Sequence, residues 1–575
     1  MAELFTKKRK FGDVELEVVY RKARIPVDVT EKRDMNQMEA HGLSAPFNQR
    51  VYEVEPGILC EQDIPVKLRD GITIYCDIYR PRELTGIPAL VSWSFYGKRP
   101  GESLSEWQIM GVPPGTVSEM SKFESPDPGF WCRHGYAVVN VDSRGAGRSG
   151  GDATVMDKQD GEDGYDFIEW LAAQWWCSGK VGLGGNSAVA MTQWRIAAEC
   201  PPHLACVAPW EGSGDIYRQS LYEGGIPALS FNEFVVSSVT GLGGIDDVVE
   251  NAKKYPFFNE YWAAKIPKYE NIKIPVYATA CWNHFHLPGS FEGFRKTKST
   301  RKWMRAHRDF EWPDAYNPEN LEDLKRFYDR YLKDIHNGWE FTPRFRLEVE
   351  DAYEFNYQHN RPEEAFPLKR TEYKKLFLDA SNNTLSRDPV SKEGSVSYDA
   401  QTGETAFDIQ FDEDTEITGY MTLRLWVEAK GHNEMDLFVN IQKLSTSGEW
   451  IPVSVLGEPH PGAWGKMRVS RRALDEKQSK SWLPVQSHLK DEKLSPGQIV
   501  PVDIAIVPSS RFWHKGQSLR VQIAGRYIRE GWFEPLSWET DNKGAHIIYA
   551  GGKYDSHLSI PYIPPKYKDG DIEYR

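Results

Sequence analysis

Between about residue 60 and residue 340, short apolar segments alternate with stretches of helical periodicity. This alternation is typical of a parallel β-sheet with helices on both faces. The predicted strands are nearly continuous apolar runs, which indicates that both of their faces are buried. They are Ala89–Phe95, Tyr136–Asp142, Lys180–Asn186, Ala205–Trp210, Val276–Trp282 and Lys302–His307. The sequence therefore predicts an α/β fold for this part of the chain.

Changes of pattern divide the remainder of the 575-residue chain, which is too long for a single hydrophobic core. Residues 1–60 are polar and irregular and predict an N-terminal arm. Glycine-rich turns and helical pieces at 211–270 predict a helical cap, inserted into a catalytic domain formed by 61–210 and 271–345. From 370 to 575, alternating segments separated by turn residues predict an all-β sandwich.

Composition narrows the classes of partner. The net charge is −13 with both signs interspersed, which argues against nucleic acid and against an anionic membrane surface. No run of 18 apolar residues is present, and no apolar run follows the basic start of the chain, so neither a membrane span nor a secretory signal is predicted. The seven cysteines are irregularly spaced, which favours reduced thiols. We therefore expect a cytoplasmic protein that acts on a small molecule.

The segment Val181–Ala190, with the sequence VGLGGNSAVA, leads from a predicted strand through a sharp turn into a predicted helix. A serine on such a turn holds its hydroxyl above the sheet edge, and the position two residues earlier must be almost free of side chain, as Gly185 is. The N-terminus of the helix directs backbone N–H groups at a developing oxyanion, so the Ala188 N–H is the expected donor. Glycine-rich turns also occur without catalysis, and Val189 departs from the G-x-S-x-G motif. The segment predicts Ser187 as a nucleophile.

Histidines follow the later predicted strands. In α/β-hydrolases the catalytic residues occur in the order Ser, acid, His, each at the carboxyl end of a strand. His307 ends the last predicted strand and is therefore the predicted general base. His284, His286 and His307 could also form a metal trio, but no carboxylate or cysteine ligand motif accompanies them. The prediction is no metal and no cofactor.

Motifs spread over residues 60–562 resemble the family of cocaine esterases and X-prolyl dipeptidyl peptidases, which includes α-amino acid ester hydrolases and glutaryl acylases. The segments that carry the resemblance are Ser94–Lys98, Asp142–Gly151, Asp163–Leu171, Gly185–Trp194, Phe327–Lys333 and Lys515–Val521. The resemblance implies an α/β-hydrolase fold with a helical cap and a C-terminal jelly-roll sandwich. It also implies that Tyr96 donates a hydrogen bond to the oxyanion beside the Ala188 N–H. A buried core tyrosine is the alternative for Tyr96.

Two departures from the family pattern bear on the site. Family members have tyrosine directly after the nucleophile and glycine three residues after it, where this chain has Ala188 and Ala190. The family acid lies in a Trp-x-Asp motif, where this chain has His284 in the place of the aspartate. The first departure changes the pocket wall and leaves backbone N–H donation intact.

A replacement for the missing aspartate is needed because an uncharged partner leaves the imidazolium of the base without support. Glu211, directly after the preceding strand, is the preferred substitute, since some hydrolases of this fold carry their acid there. A salt bridge in the cap is the alternative role for Glu211. Asp309 and Glu311 are near His307 in sequence, but such local carboxylates seldom approach the ring from the right side.

These residues predict a serine hydrolase that acts on an ester or amide. The aromatic residues expected around the site favour a hydrophobic acyl group, and 13% of the chain is aromatic. The predicted substrate-binding residues are Phe95, Trp210, Tyr222, Trp282 and His284. Non-hydrolytic work such as acyl transfer, lactonisation, elimination or cyclisation is a second hypothesis, and a catalytically inactive binding scaffold is a third. Some family relatives oligomerise, so a homo-oligomer is a further expectation.

Overall fold

The computed structural model describes residues 3–24, 47–100, 104–528 and 536–565. The chain folds as two compact units. The first unit comprises residues 1–221, 229–304 and 309–342, and the second comprises 222–228, 305–308 and 343–575. Parts of the predicted N-terminal arm, at residues 1–2 and 25–46, lie outside the described residues.

The strands up to residue 310 are β1 (Leu4–Phe11), β2 (Val14–Lys22), β3 (Arg50–Glu55), β4 (Ile58–Lys67), β5 (Thr73–Pro81), β6 (Ile87–Ser94), β7 (Ala137–Asp142), β8 (Cys177–Asn186), β9 (Leu204–Trp210), β10 (Tyr222–Glu223), β11 (Ile226–Pro227), β12 (Gly244–Asp246), β13 (Val276–Cys281) and β14 (Lys302–His307). The helices are α1 (Leu104–Ile109), α2 (Pro128–Arg133), α3 (Lys158–Ala172), α4 (Ala188–Ala198), α5 (Leu229–Ser238), α6 (Val248–Lys254), α7 (Glu260–Ala263), α8 (Leu287–Lys296), α9 (Glu311–Ala315) and α10 (Pro318–Leu332). Among the described residues, none of these helices combines the length and the apolarity that a membrane crossing requires.

The main sheet of the first unit has the strand order β3-β4-β5-β7-β6-β8-β9-β13. The strands from β7 to β13 run parallel to one another, and β3, β4 and β5 are antiparallel. Every residue of β6, β7 and β13 is buried, which explains why these strands are apolar without alternation. The predicted strands are therefore confirmed with small shifts, the largest at β8, which begins at Cys177 rather than Lys180.

The N-terminal arm is only partly irregular, contrary to the prediction. β1 and β2 form an antiparallel hairpin around Gly12, which has φ = +60°. The strand β2 alternates between exposed and buried positions, and it buries Val18 and Tyr20. The many charged residues on the outer face concealed this period of two in the sequence. The hairpin also pairs with β12, since Asp246 lies opposite Tyr20, so it joins the first unit through residues of the insertion.

The insertion between β9 and β13 contains the predicted helical pieces. The helices α5, α6 and α7 all lie within the range 211–270 that was predicted as a helical cap. Residues 222–228 of the insertion belong to the second unit, where β10 and β11 form a small hairpin. The cap predicted at 211–270 is therefore divided between the two units.

The second unit is built mainly from antiparallel strands. They are β15 (Phe345–Ala352), β16 (Phe355–Glu363), β17 (Glu372–Asp379), β18 (Thr384–Ser386), β19 (Gly394–Asp399), β20 (Glu404–Gln410), β21 (Thr415–Lys430), β22 (Asp436–Leu444), β23 (Trp450–Ile451), β24 (Val453–Val455), β25 (Glu458–His460), β26 (Trp464–Arg468), β27 (Val500–Trp513), β28 (Ser518–Ala524), β29 (Ala545–Ala550) and β30 (His557–Ile563). The strand β21 pairs with β27, β29 and β30, while β28 pairs with β20 and β22. Residues of both groups form one core, among them Leu423, Val439, Ile523 and Leu558. The β-rich domain is confirmed, it begins before residue 370, and its jelly-roll connectivity stays a prediction.

A buried ionic network holds the loop that follows β6. The Lys98 ammonium lies 2.7 Å from Asp142 and 3.1 Å from Asp63. The Arg99 guanidinium lies 2.5 Å from Asp63 and 3.1 Å from Asp77. Burial raises the pKa of Asp77 to about 6, and Lys98 and Arg99 oppose that rise. Because these charges are removed from water, each one depends on its partners. The network fixes the loop that carries Tyr96.

Replacing Lys98 by Met leaves buried carboxylates without one of their two cations. We expect Lys98→Met to lower the free energy of unfolding by about 3–5 kcal/mol, as for other buried ion pairs that lose one partner. Urea denaturation followed by tryptophan fluorescence measures this change. The matched control is Lys158→Met, whose side chain is 51% exposed, with an expected change within about 0.5 kcal/mol. Equal small effects of the two substitutions would contradict the assigned role of the network.

Candidate active site

Ser187 lies on a strained turn between β8 and α4. Its φ is +53° and its ψ is −125°, a left-handed conformation that costs free energy for a residue with a side chain. The Ser187 N–H donates to the carbonyl oxygens of Trp210 and Glu211, at 3.2 and 3.1 Å. At Gly185 (φ = +120°) an added Cβ would lie 2.5 Å from both the Glu124 carbonyl oxygen and Val189 Cγ1. The predicted nucleophile turn and its requirement for glycine therefore agree with the structure.

The Ser187 hydroxyl is hydrogen-bonded to a histidine. Ser187 Oγ lies 3.1 Å from His286 Nε2, and His286 Nδ1 lies 2.9 Å from Ser213 Oγ. Burial, together with the neighbouring His284, lowers the pKa of His286 well below 6.5. The ring is therefore neutral at neutral pH and can accept the proton of Ser187. The arrangement is a pair of Ser187 and His286. Ser213, on the ring nitrogen that faces away from Ser187, is the outer partner of His286.

The histidine in this contact differs from the general base predicted from sequence. His307 does end β14, as predicted, and is buried, but the histidine hydrogen-bonded to Ser187 is His286. The prediction relied on strand order, whereas β13 ends at Cys281 and the chain then turns, so that His286 stands at the start of α8. The sequence signal for His286 was the His-x-His segment of His284 and His286, which was interpreted as part of an extended strand. The turn directs its two rings to different partners.

Glu211 and Glu311 flank the second of these rings, His284. Glu211 Oε2 lies 3.5 Å from His284 Nδ1, and Glu311 Oε1 lies 3.4 Å from His284 Nε2. The His286 N–H donates to His284 Nδ1 at 3.2 Å, so the proton of a neutral His284 ring resides on Nε2, facing Glu311. The structure therefore places Glu211, predicted as the acid of the triad, against His284. His284, predicted to contact substrate, is buried between two carboxyl groups.

Three of these side chains have metal-binding chemistry. Donor atoms of Glu211, His284 and Glu311 lie within 4.8 Å of one another. However, each nitrogen of the His284 ring faces a different carboxylate, whereas a single ion binds only one nitrogen of a ring. His286 is engaged by Ser187 and Ser213, so the trio weighed from the sequence is not assembled around one point. We assign Glu211, His284 and Glu311 as a buried, proton-sharing cluster.

Two more glutamates, Glu311 and Glu124, lie near the nucleophile turn. Sequence reasoning set the first aside and missed the second. Glu311 Oε2 accepts a hydrogen bond from Asn186 Nδ2 at 3.1 Å, and burial raises the pKa of Glu311 against the opposing effect of His284. The Glu124 carboxyl group accepts from Trp312 Nε1 at 3.5 Å, and its carbonyl oxygen accepts the Asn186 N–H at 3.1 Å. Glu311 was set aside for its closeness in sequence to His307. No sequence signal pointed to Glu124, because it lies in a loop without a motif.

The predicted oxyanion donors are placed as follows. Ala188 is the first residue of α4, so its N–H belongs to the first turn, whose N–H groups have no acceptor within the helix. Tyr96 follows β6, and its ring packs edge-on against Phe95 and Phe123 at centroid distances of 4.9 and 5.6 Å. Burial, with the charges of Glu124 and Glu311, raises the pKa of Tyr96 well above 10. The Tyr96 hydroxyl therefore keeps its proton and can donate it to a hydrogen bond.

Most of the aromatic residues predicted to bind substrate have structural roles instead. Trp210 is 3% exposed and packs against Tyr277 in a large buried cluster. Trp282 is fully buried and stacks on Phe291. Tyr222 belongs to the second unit, where the Arg471 guanidinium lies over its ring. The sequence could not separate these rings from pocket residues because core and pocket walls share the same composition. Of the predicted aromatic residues, Phe95 remains in contact with a residue of the site.

The comparison with known proteins decides the family. A CocE/NonD family hydrolase from Staphylococcus aureus has a solved structure that covers 89% of this chain and 96% of its own, with 36% sequence identity and a TM-score of 0.84. The chain belongs to the CocE/NonD family of hydrolases. The X-Pro dipeptidyl-peptidase (S15 family) profile matches residues 70–243. The profile of the X-Pro dipeptidyl-peptidase C-terminal non-catalytic domain matches residues 337–559.

Curated relatives of this CocE/NonD chain are esterases. Cocaine esterase from Rhodococcus sp. is 31% identical over 381 residues, which is 56% of this chain and 62% of cocaine esterase. A putative serine esterase from Mycobacterium tuberculosis is 30% identical over 201 residues. These matches span less than two thirds of the relatives' own length. An α-amino acid ester hydrolase, 14% identical with a TM-score of 0.65, shares the fold. The chain has the α/β-hydrolase fold of this family of hydrolases.

The close approach at Gly185 has a measurable consequence. We expect Gly185→Ala to lower the free energy of unfolding by about 3 kcal/mol or more, because left-handed strain is added to an overpacked contact. The control is Gly71→Ala, which has φ = +89° and no atom within 4 Å of the added Cβ. The control therefore carries only the strain, about 1–2 kcal/mol. Denaturation in urea compares the two variants, and equal effects would contradict the clash at the elbow.

Proposed function

We propose that the protein hydrolyses an ester or amide of a hydrophobic acyl group through an acyl-enzyme on Ser187. The observation that carries this proposal is the hydrogen-bonded chain from Ser187 Oγ through His286 to Ser213 Oγ. A serine on a strained turn, paired with a neutral histidine, is the arrangement that activates a hydroxyl for attack on a carbonyl. The esterase relatives support the same chemistry.

The first half of the reaction follows from the contacts. Ser187 Oγ attacks the carbonyl carbon, and its proton passes to His286 Nε2. The Ala188 N–H and the Tyr96 hydroxyl stabilise the oxyanion that forms. The proton then moves from His286 to the leaving oxygen or nitrogen, and the acyl group remains on Ser187. In the second half of the reaction, water attacks the acyl group, the same proton transfers occur in reverse, and the carboxylic acid is released from Ser187.

The outer partner of the base affects the substrate class. A carboxylate stabilises the imidazolium formed during catalysis, whereas Ser213 supplies an uncharged oxygen. His286 is therefore a weak base and, once protonated, a strong acid. This balance favours esters over amides, since an alkoxide leaves more readily than the anion of an amine. We infer that esters are the preferred substrates.

The hydrophobic acyl group is supported by aromatic rings beside the base. Phe285 lies against His286, with ring centroids 4.3 Å apart, and Phe231 of α5 lies 5.3 Å from Phe285. Both phenylalanines are only partly buried. Together with Phe95 beside Tyr96, they offer apolar surface near the nucleophile. The sequence had not selected Phe231 or Phe285 for this role.

A second candidate function is a non-hydrolytic reaction, such as acyl transfer, lactonisation, elimination or cyclisation. The uncharged partner of His286 and the proton-sharing cluster at His284 favour it, because they depart from the arrangement that the family pattern implies. An elimination or cyclisation performed by the acid–base groups would continue in Ser187→Ala. An inactive scaffold is disfavoured, since the strained Ser187 turn and its histidine are both retained.

Covalent labelling tests the nucleophile. We expect a fluorophosphonate to add one equivalent to the wild-type protein, because an activated serine attacks phosphorus as it attacks a carbonyl carbon. Intact-mass spectrometry should show no adduct on Ser187→Ala. The control Ser178→Ala changes an exposed serine at the start of β8 and should label like the wild type. Absence of labelling in the folded wild type would reject hydrolysis and favour the second candidate function.

The identity of the base is tested by comparing histidine variants. We expect His286→Ala to slow fluorophosphonate labelling by roughly 10²–10⁴-fold, the usual contribution of a general base. The exposed His203, replaced by Ala, should have no effect. Ser213→Ala should slow labelling about fivefold, since it removes one neutral hydrogen bond. His307→Ala is the discriminating variant: loss of labelling there, with retention in His286→Ala, would restore the sequence-based assignment of the base.

Ser213→Asp tests the positioning of His286. A carboxylate at Nδ1 stabilises the imidazolium and raises the pKa of His286. Since only the neutral ring accepts a proton, labelling is lost as the pH falls through that pKa. We therefore expect the acid limb of the labelling rate to move to higher pH in Ser213→Asp. An unmoved limb in the folded variant would contradict the contact between Ser213 and His286.

A further inference from the structure

The N-terminal hairpin supports the part of the insertion that follows α5. The strand β2 pairs with β12, and just beyond β2 the Arg24 carbonyl oxygen accepts the N–H of Gly241 at 2.9 Å. The Asn251 side chain of α6 both donates to and accepts from the backbone of Val19, each at 2.9 Å. The chain on the C-terminal side of α5 is therefore fixed to β2.

A side chain of the same strand, Arg21, holds α5 itself. Its Nη1 and Nη2 donate to the two carboxylate oxygens of Glu233 at 2.6 and 2.7 Å, and Nη1 also donates to Ser237 Oγ at 2.8 Å. Its Nε donates to Asp247 Oδ2, at the N-cap of α6, at 2.8 Å. Arg21 is buried, and a two-pronged contact with a carboxylate fixes direction as well as distance. One arginine of β2 thus joins two successive turns of α5 to the start of α6.

The far side of α5 carries Phe231, which faces the base. An α-helix has 3.6 residues per turn, so Phe231 and Glu233, two residues apart, point to opposite sides of α5. The Phe231 ring lies 5.3 Å from that of Phe285, which lies 4.3 Å from the His286 ring. The helix α5 therefore stands between the grip of Arg21 and the aromatic rings beside His286.

Apolar packing alone gives α5 little fixation. Of its ten residues only Leu229, Asn232 and Val236 are buried, and one of these is polar. Helices in proteins are stabilised chiefly by packing of an apolar face, so a helix with few buried residues depends more on its polar contacts. The rotation of α5, and with it the position of Phe231, therefore depends on Arg21.

We propose that Arg21 is a positioning residue that sets the selectivity for the acyl group by holding α5 so that Phe231 lies against Phe285. This inference rests on the proposed hydrolase function and on the apolar surface assigned there. Since Phe285 lies between His286 and Phe231, only an acyl group that extends past Phe285 contacts Phe231. The substrate class is therefore an ester of a long apolar acyl group, and an acetyl group is too short to depend on Arg21.

The experiment measures steady-state hydrolysis of p-nitrophenyl acetate and p-nitrophenyl octanoate. We expect Arg21→Met to raise the KM for octanoate roughly tenfold, as for the loss of a methylene-sized apolar contact. Because this contact is the same in the ground state and the transition state, kcat for octanoate should stay within about twofold of the wild type. Both parameters for acetate should be unchanged. A merely structural role of Arg21 would not separate the two esters.

A double-variant cycle tests whether Arg21 acts through Phe231. We expect Phe231→Ala to raise the KM for octanoate by the same factor as Arg21→Met. The double variant should show no further rise, since two residues that act as a unit are not additive. Multiplied effects in the double variant would overturn the proposed route through Phe231.

The matched control is Arg9→Met on the other strand of the hairpin. The Arg9 guanidinium lies 3.0 Å from Asp157, the N-cap of α3, so this variant breaks an ion pair of the hairpin at a different helix. Its KM for octanoate should equal that of the wild type. Glu233→Gln is the second variant if Arg21→Met does not fold, since the Glu233 side chain is 45% exposed and the contact between Arg21 and Asp247 remains. It should raise the same KM about threefold, as for the weakening of a charged hydrogen bond.

The outcomes are distinguishable. Circular dichroism and thermal unfolding confirm that each variant is folded. A wild-type KM for octanoate in folded Arg21→Met or Glu233→Gln, or an equal rise in Arg9→Met, overturns the role of Arg21 and leaves the hydrolase proposal intact. A wild type that cleaves neither ester and does not label at Ser187 overturns both.

Discussion

The left-handed turn at Ser187 is the constraint around which the first unit is arranged. A residue with a side chain adopts this backbone only when its surroundings enforce it. Here the Ser187 N–H is shared between two carbonyl oxygens at the end of β9, and the Glu124 carbonyl closes the other side. Gly185 leaves the space in which these groups meet. The rigid edge of the sheet holds this strained backbone in place and directs the Ser187 hydroxyl towards His286.

Charge compensation is the second organising requirement of the site. Glu124, Glu211 and Glu311 are all buried within reach of the nucleophile region, and a buried carboxylate is stable only with a proton, a cation or several hydrogen bonds. The His284 ring lies between Glu211 and Glu311, with one ring nitrogen facing each carboxyl group. In the loop after β6, Lys98 and Arg99 compensate the buried carboxylates with fixed cations in place of shared protons. The difference suits their roles, since a catalytic site must move protons and a structural loop must not.

The departure from the family acid is consistent with this arrangement. His284 stands where the family pattern has aspartate, and the ring recruits two glutamates. The adjacent His286 is then the histidine that contacts Ser187, with Ser213 as its outer partner. In this chain the two ring nitrogens of His286 therefore face serines, while the carboxyl groups of Glu211 and Glu311 face His284.

The sequence by itself determined the α/β sheet, the β-rich second part, the turn that carries Ser187 and the family. These features depend on local pattern: apolar runs buried on both faces, and a strand–glycine–serine–helix turn whose geometry is set within ten residues. The tertiary structure decided the partners of Ser187. His286, and not His307, is hydrogen-bonded to Ser187, because the chain turns after Cys281, and Glu124 contacts the serine turn from a loop with no motif. Side chains that meet across distant loops leave no periodicity in the sequence, so only the folded chain shows which histidine reaches the serine and which carboxyl groups surround it.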